Sequence, residues 1–159
     1  MRFIFITRVC GLLVMIMIAV GVVKGELVAA VPSLTISVQA EQKSVENGGF
    51  LPVVTTIQNV GDTIQTLRIW SCSHERNWKT DSLFVRVMPG PCKKDATQNV
   101  KLEAGESYKH TLHLGINVPT RKISINSLSF RLGFMDGNDD IEKQLSPWSN
   151  VITINITEQ

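Results

Sequence analysis

No segment of this 159-residue chain places apolar residues at helical spacing across the roughly eleven positions that an amphipathic helix needs. Without helices between the strands, parallel βαβ units are excluded as the organising plan. Cysteine is scarce: the three are Cys10, Cys72 and Cys92, and none has the CxxC spacing of a zinc site or a dithiol redox motif. The chain has no HExxH, no glycine loop able to cradle phosphate and no Ser-His-Asp motif context. An enzyme is therefore not expected, because no nucleophile comes with its base. Internal repeats, low-complexity segments and a linker to a second domain are also lacking, and one domain is the default at this length. The longest apolar run, from Val9 to Val23, is about 15 residues, short of the roughly 20 that cross a bilayer.

That apolar run follows Arg2 and Arg8. A charged start, a short apolar stretch and then small residues make up a cleavable signal peptide. Residues 1–30 are assigned to it, with cleavage after Gly25 or after Ala30; Val28-Ala29-Ala30 is closer to the A-x-A pattern. Cys10 stands at the beginning of the apolar stretch, which is the wrong end for a lipoprotein cysteine. Loss of the leader changes the charge. Arg2, Arg8 and Lys24 leave sixteen basic residues at thirteen, and Glu26 leaves fourteen acidic residues at thirteen. The net charge of +2 thus belongs to the leader, and the remaining domain has no footprint for nucleic acid or an acidic membrane. No stable membrane anchor is expected after cleavage. The protein is expected to be secreted or periplasmic, with another extracytoplasmic protein as its partner.

Residues 31–159 alternate with period two. Leu34, Ile36 and Val38 share a face, as do Val53, Thr55 and Ile57, and Tyr108, His110, Leu112 and Leu114. Leu128, Phe130, Leu132 and Phe134 form another such row, and Ile152, Ile154 and Ile156 close the chain. Pro52 restricts its strand to an edge position or a strand start. Asn47-Gly48-Gly49 and Asn59-Val60-Gly61-Asp62 are turn signals. Strands at this spacing predict an all-β, immunoglobulin-like antiparallel β-sandwich of seven to nine strands.

In an oxidising compartment Cys72 and Cys92 pair as a disulfide. Beside them lie Trp70 and Trp78. Trp70 is expected in the core near the disulfide, since indole supplies a large apolar area. Trp78, in a polar segment, is a candidate exposed platform, and with Met88, Pro89 and Pro91 it makes up the candidate binding surface. In Asp136-Gly137-Asn138-Asp139-Asp140-Ile141-Glu142, the oxygens of Asp136, Asn138, Asp140 and Glu142 alternate as calcium ligands would, though the glycine is misplaced for an EF-hand. Otherwise no cofactor is expected. His110 and His113 lie three apart in a strand and so face opposite ways, while His74 neighbours an oxidised cysteine. None of the three is expected to hold a metal or to catalyse.

The run Trp70-Ser71-Cys72-Ser73, then Trp78-Lys79-Thr80-Asp81, Cys92 and Leu102-Glu103-Ala104-Gly105-Glu106-Ser107-Tyr108 resembles small secreted bacterial immunoglobulin-like domains of unassigned activity. The likeness runs from about Val38 to Leu114. Asn59-Val60-Gly61-Asp62 and the Leu-x-x-Gly-Glu run are also similar to BsuPI-type proteinase-inhibitor domains. The resemblance implies a non-catalytic binding or structural module. The alternatives are a protease inhibitor acting through the tethered segment from Met88 to Asp95, and a calcium-dependent adhesion domain.

Overall fold

The computed structural model describes residues 33–119, 126–135 and 148–158, all within one compact unit, Val31–Gln159. The described strands are β1 (Leu34–Ala40), β2 (Ser44–Glu46), β3 (Phe50–Asn59), β4 (Gln65–Trp70), β5 (Trp78–Thr80), β6 (Val85–Val87), β7 (Thr97–Leu102), β8 (Ser107–Ile116), β9 (Ser127–Phe130), β10 (Leu132–Phe134) and β11 (Ile152–Thr157). A single 3₁₀ turn, His74–Arg76, lies between β4 and β5. Among the described residues no helix is long and apolar enough to cross a membrane.

The strands form where apolar and polar residues alternate. Leu51, Val53, Thr55 and Ile57 of β3 are buried and face one way, while the residues between them stay half-exposed. In β8, Leu112, Leu114 and Ile116 are buried on one face, with Tyr108 and His110 half-buried on the same side. These two ten-residue strands pair antiparallel from Phe50↔Gly115 to Gln58↔Ser107. With β1 and β6 they make a four-stranded sheet in the order β1-β3-β8-β6. Three smaller sheets, β10-β5, β2-β11-β9 and β4-β7, share one hydrophobic cluster with it. That cluster joins Leu34, Val53 and Leu112 to Leu67, Trp78, Phe130 and Ile154. The result is an all-β sandwich, each wall burying the apolar face of the other.

Among the described residues there are eleven strand segments where seven to nine were expected, and four of them, β2, β5, β6 and β10, are only three residues long. The row Leu128 to Phe134 is buried on one face as expected, but Arg131 divides it into β9 and β10, which pair with different strands. One pairing, β2 with β11, is parallel. Pro52 lies in a central strand near its start. The β1 ladder ends at Ala40↔Val53, so the proline's missing N–H falls where the pairing stops. Of the two turn signals, Gly48 adopts φ 85°, a left-handed conformation that glycine enters without steric cost.

Candidate functional site

Strand β4 ends at Trp70, where Ser71-Cys72-Ser73 offers hydroxyls and a thiol in place of apolar alternation. A disulfide joins Cys72 to Cys92 across 20 positions, with Cα atoms 5.4 Å apart. It fastens the end of β4 to the segment that leaves β6. Cys72 is buried; Pro89, Pro91, Cys92, Lys93, Lys94 and Asp95 are exposed, and Met88 is half-buried.

Polar contacts fix this exposed segment along its length. The Gly90 amide donates to the Cys72 carbonyl at 2.7 Å. The Ser71 hydroxyl donates to the Lys94 carbonyl at 3.3 Å and accepts from the Ala96 amide at 3.1 Å. The Ser71 amide donates to the Ala96 carbonyl at 3.0 Å. Asp95 faces back over the disulfide. Its Oδ1 accepts from the amides of Cys72 at 3.1 Å and Ser73 at 3.3 Å, and its Oδ2 accepts the Ser73 hydroxyl. The Ser73 hydroxyl, opposed by desolvation and assisted by these amides and the Arg76 charge, holds the Asp95 carboxyl below the ordinary carboxylate range. The outcome is a solvent-facing loop with a fixed backbone, carrying two prolines and two lysines.

Neither tryptophan takes the place expected of it. Trp78 is 4 % exposed and meets Phe134 edge to face, ring centroids 5.2 Å apart. It is a core residue, and its expected role as an exposed platform is corrected. The physical reason is β5: its three residues pair with β10 in the register Phe134↔Trp78, which turns the indole inward. Trp70 is only half-buried, with the Arg76 guanidinium 4.3 Å from its ring centroid.

Of the other expected site residues, Cys72 and Cys92 form the disulfide, and Met88, Pro89 and Pro91 lie on the tethered segment. Asp136, Asn138, Asp140 and Glu142 lie outside the described residues. Asp95 stands within reach of the two cysteine sulfurs, but those sulfurs are bonded to each other and offer no thiolate to an ion.

One pair had no signal in the sequence. His74, on the 3₁₀ turn, and His110, on β8, are 36 residues apart, and their Nε2 atoms stand 3.2 Å apart. The ring planes cross at 80° with centroids 4.5 Å apart. Tyr108 stacks near-parallel with His110, at 6.1 Å and 11°. Burial first, and then the neighbouring His74, hold the His110 imidazole below the ordinary histidine range. Asn77 also had no signal. It is 1 % exposed, and its side chain accepts from the Trp70 amide at 2.6 Å and donates to the Arg68 and Met135 carbonyls at 2.8 and 3.3 Å.

Elsewhere a shallow depression is lined by Gln42, Ser44, Val45, Glu46, Gly49, Phe50 and Thr157. None of these belongs to the tethered segment.

No protein-family model matches the chain, and no curated protein matches it. Among solved structures it is similar to a FixG-related protein from Vibrio parahaemolyticus, at 12 % identity and a TM-score of 0.41, over 78 % of this chain and 93 % of that one. A β-glucosidase from Erythrobacter marinus aligns at 14 % identity and a TM-score of 0.39, over 79 % of this chain. A β-glucosidase from Listeria innocua, in complex with isofagomine, aligns at 13 % identity and a TM-score of 0.36, also over 79 % of this chain. The chain spans only 15 % and 16 % of those two enzymes. At these values the likenesses say nothing of family or activity.

Proposed function

We propose that this domain works outside the cytoplasm as a non-catalytic binding module, engaging another extracytoplasmic protein through the exposed segment from Met88 to Asp95. The observation that carries this function is that the segment is solvent-facing and yet already ordered, by the Cys72–Cys92 bond and by Asp95 on the Cys72 and Ser73 amides. A surface fixed before contact loses less conformational entropy on binding, which leaves more of the contact energy as affinity. A charged and then apolar leader supports export, and a structural disulfide suits an oxidising compartment.

The test is affinity capture from the extracytoplasmic extract of the protein's own source. Oxidised protein is compared with the loop variant Pro91→Ser/Lys93→Ser/Lys94→Ser and with an unrelated sandwich. The expected result is a saturable partner that the loop variant and the reduced protein fail to retain. Equal retention by the loop variant, or nothing above the control, would count against the proposal.

A second function shares the same segment. Pro89, Pro91 and Cys92 are exposed on a segment tied down by its disulfide, which is how an inhibitory loop stays ordered in a protease cleft. Saturable inhibition of a protease, abolished by reduction, is the outcome that would place inhibition first.

A further inference from the structure

We propose that His74 and His110 form the protein half of a binding site for one borderline divalent transition-metal ion, of the zinc, nickel or copper(II) class, which joins the disulfide-anchored turn to strand β8. This inference does not rest on the partner-binding proposal and can fail or stand without it.

The spacing of the two donor nitrogens is that of two ligands sharing one ion. Two imidazole nitrogens bound at about 2.0–2.1 Å to a tetrahedral ion stand roughly 3.3 Å apart, and the two Nε2 atoms are 3.2 Å apart. Rings meeting head-on would separate their centroids by the full radius of each ring beyond that distance. The observed centroid separation is 4.5 Å with planes crossed at 80°, so the ring axes are bent away from a common line; two in-line ligands of one ion would stand roughly 5 Å apart at their centroids, and ion binding therefore splays the rings by about half an ångström. Without an ion only one N–H can lie between the two nitrogens, one donating and the other accepting. With both protons on Nδ1, two lone pairs face the same small space. Imidazole pairs suit zinc, copper and nickel rather than calcium or magnesium.

Both donors rest on fixed backbone. The His74 amide donates to the Cys72 carbonyl at 2.9 Å, and the Asn77 amide closes the turn on the His74 carbonyl at 3.0 Å. His74 is itself buried, at 8 % exposure. The His110 carbonyl accepts the Thr55 hydroxyl at 2.9 Å, from within the β3–β8 ladder. Gly90 stands directly against the His74 ring. A Cβ at that position would lie 2.6 Å from Cε1 and 3.2 Å from both ring nitrogens, so any larger residue would push the imidazole out of place. Sites held this firmly on turn and strand keep their donor spacing. The chain supplies two donors here, and water would fill the ion's remaining positions.

The test uses the purified, oxidised protein stripped with a chelator and then titrated with zinc sulfate alone. Binding is followed by calorimetry and by imidazole ¹H–¹⁵N correlation spectra. The proposal expects one zinc ion per chain, with the Nε2 resonances of His74 and His110 moving together and those of His113 unmoved. It expects His110→Gln to weaken zinc binding at least about ten-fold while His113→Gln leaves it unchanged. Gly90→Ala, which removes no donor atom, should weaken it as well. Should His110→Gln fail to fold, the spectra of the unaltered protein decide alone. Absence of zinc binding, binding that moves His113 alone, or undiminished binding by a folded His110→Gln would each overturn the site.

Discussion

Asn59 is fully buried, and a carboxamide in that position costs free energy unless its donors and acceptor find partners. Its Nδ2 donates to the carbonyls of Thr63, Leu102 and Glu103 at 2.8, 3.0 and 3.1 Å, and its Oδ1 accepts the Gly61 amide at 3.0 Å. The turn after β3 is therefore built around one side chain that also grips the end of β7. Asn59→Ala should cost about 2–4 kcal/mol, because it strands buried carbonyls; denaturant unfolding measures this. Asn47 does the same for Val118, exchanging two 2.8 Å bonds with its backbone, and Asn150 does so for Val38. The sequence shows Asn59 and Asn47 only as turn residues. Their long-range role depends on backbone brought close by the fold, which no local pattern encodes. Asp81 is a second residue of this kind. Burial raises its pKa, but the hydrogen bond and charge of Arg131 outweigh that, and the net position is below the ordinary carboxylate range. Arg131 Nε stands 2.8 Å from its Oδ2, and the Arg131 amide 2.7 Å from its Oδ1. A depressed folded pKa gives stability that is fully present above the unfolded value and lost as pH falls through the folded one. The Asp81→Asn variant and the unaltered protein should therefore differ in melting temperature at neutral pH and converge as pH falls below the ordinary carboxylate range. The gap should be small, on the order of 1 kcal/mol or less for a pair near the surface.

At the scale of elements, the long strands β3 and β8 were legible because their alternation is uninterrupted and one face is buried. The three-residue strands were not, since three positions cannot display a period. β5 is the instructive case. Trp78-Lys79-Thr80 lies in a polar stretch, and only its pairing with Leu132-Gly133-Phe134 decides that Trp78 points inward. Trp78→Ala should cost about 3–5 kcal/mol, the loss typical of a buried large side chain. Trp70→Ala should cost clearly less, because that ring is half-exposed. Paired thermal melts of the two variants check the order. Ile64, whose branched side chain reads as strand, instead precedes β4 and is exposed, because the Asn59 turn occupies the chain up to that point.

For the whole molecule, the sandwich was legible in outline, as were the disulfide pairing and the segment it tethers, whereas the hydrogen bonds that hold that segment in place were not. Ser71 and Ser73, just after β4, and Asp95, just before β7, meet at that segment, and nothing in their spacing marks them as partners. Removing both cysteines with Cys72→Ala/Cys92→Ala should lower stability by about 3 kcal/mol through loss of a closed loop of this length. The sheets should survive, because their core lies in the strands. Binding through the segment from Met88 to Asp95 depends on that surface being ordered in advance by its disulfide and its hydrogen bonds. The most direct measurement is amide hydrogen exchange, read by mass spectrometry, on oxidised and reduced protein. Slow exchange is expected at Cys72, Ser73, Gly90 and Ala96 in the oxidised protein, and fast exchange there after reduction, with β3 and β8 protected in both. Exchange at those four amides that is already at the unprotected rate in the oxidised protein would contradict that advance ordering.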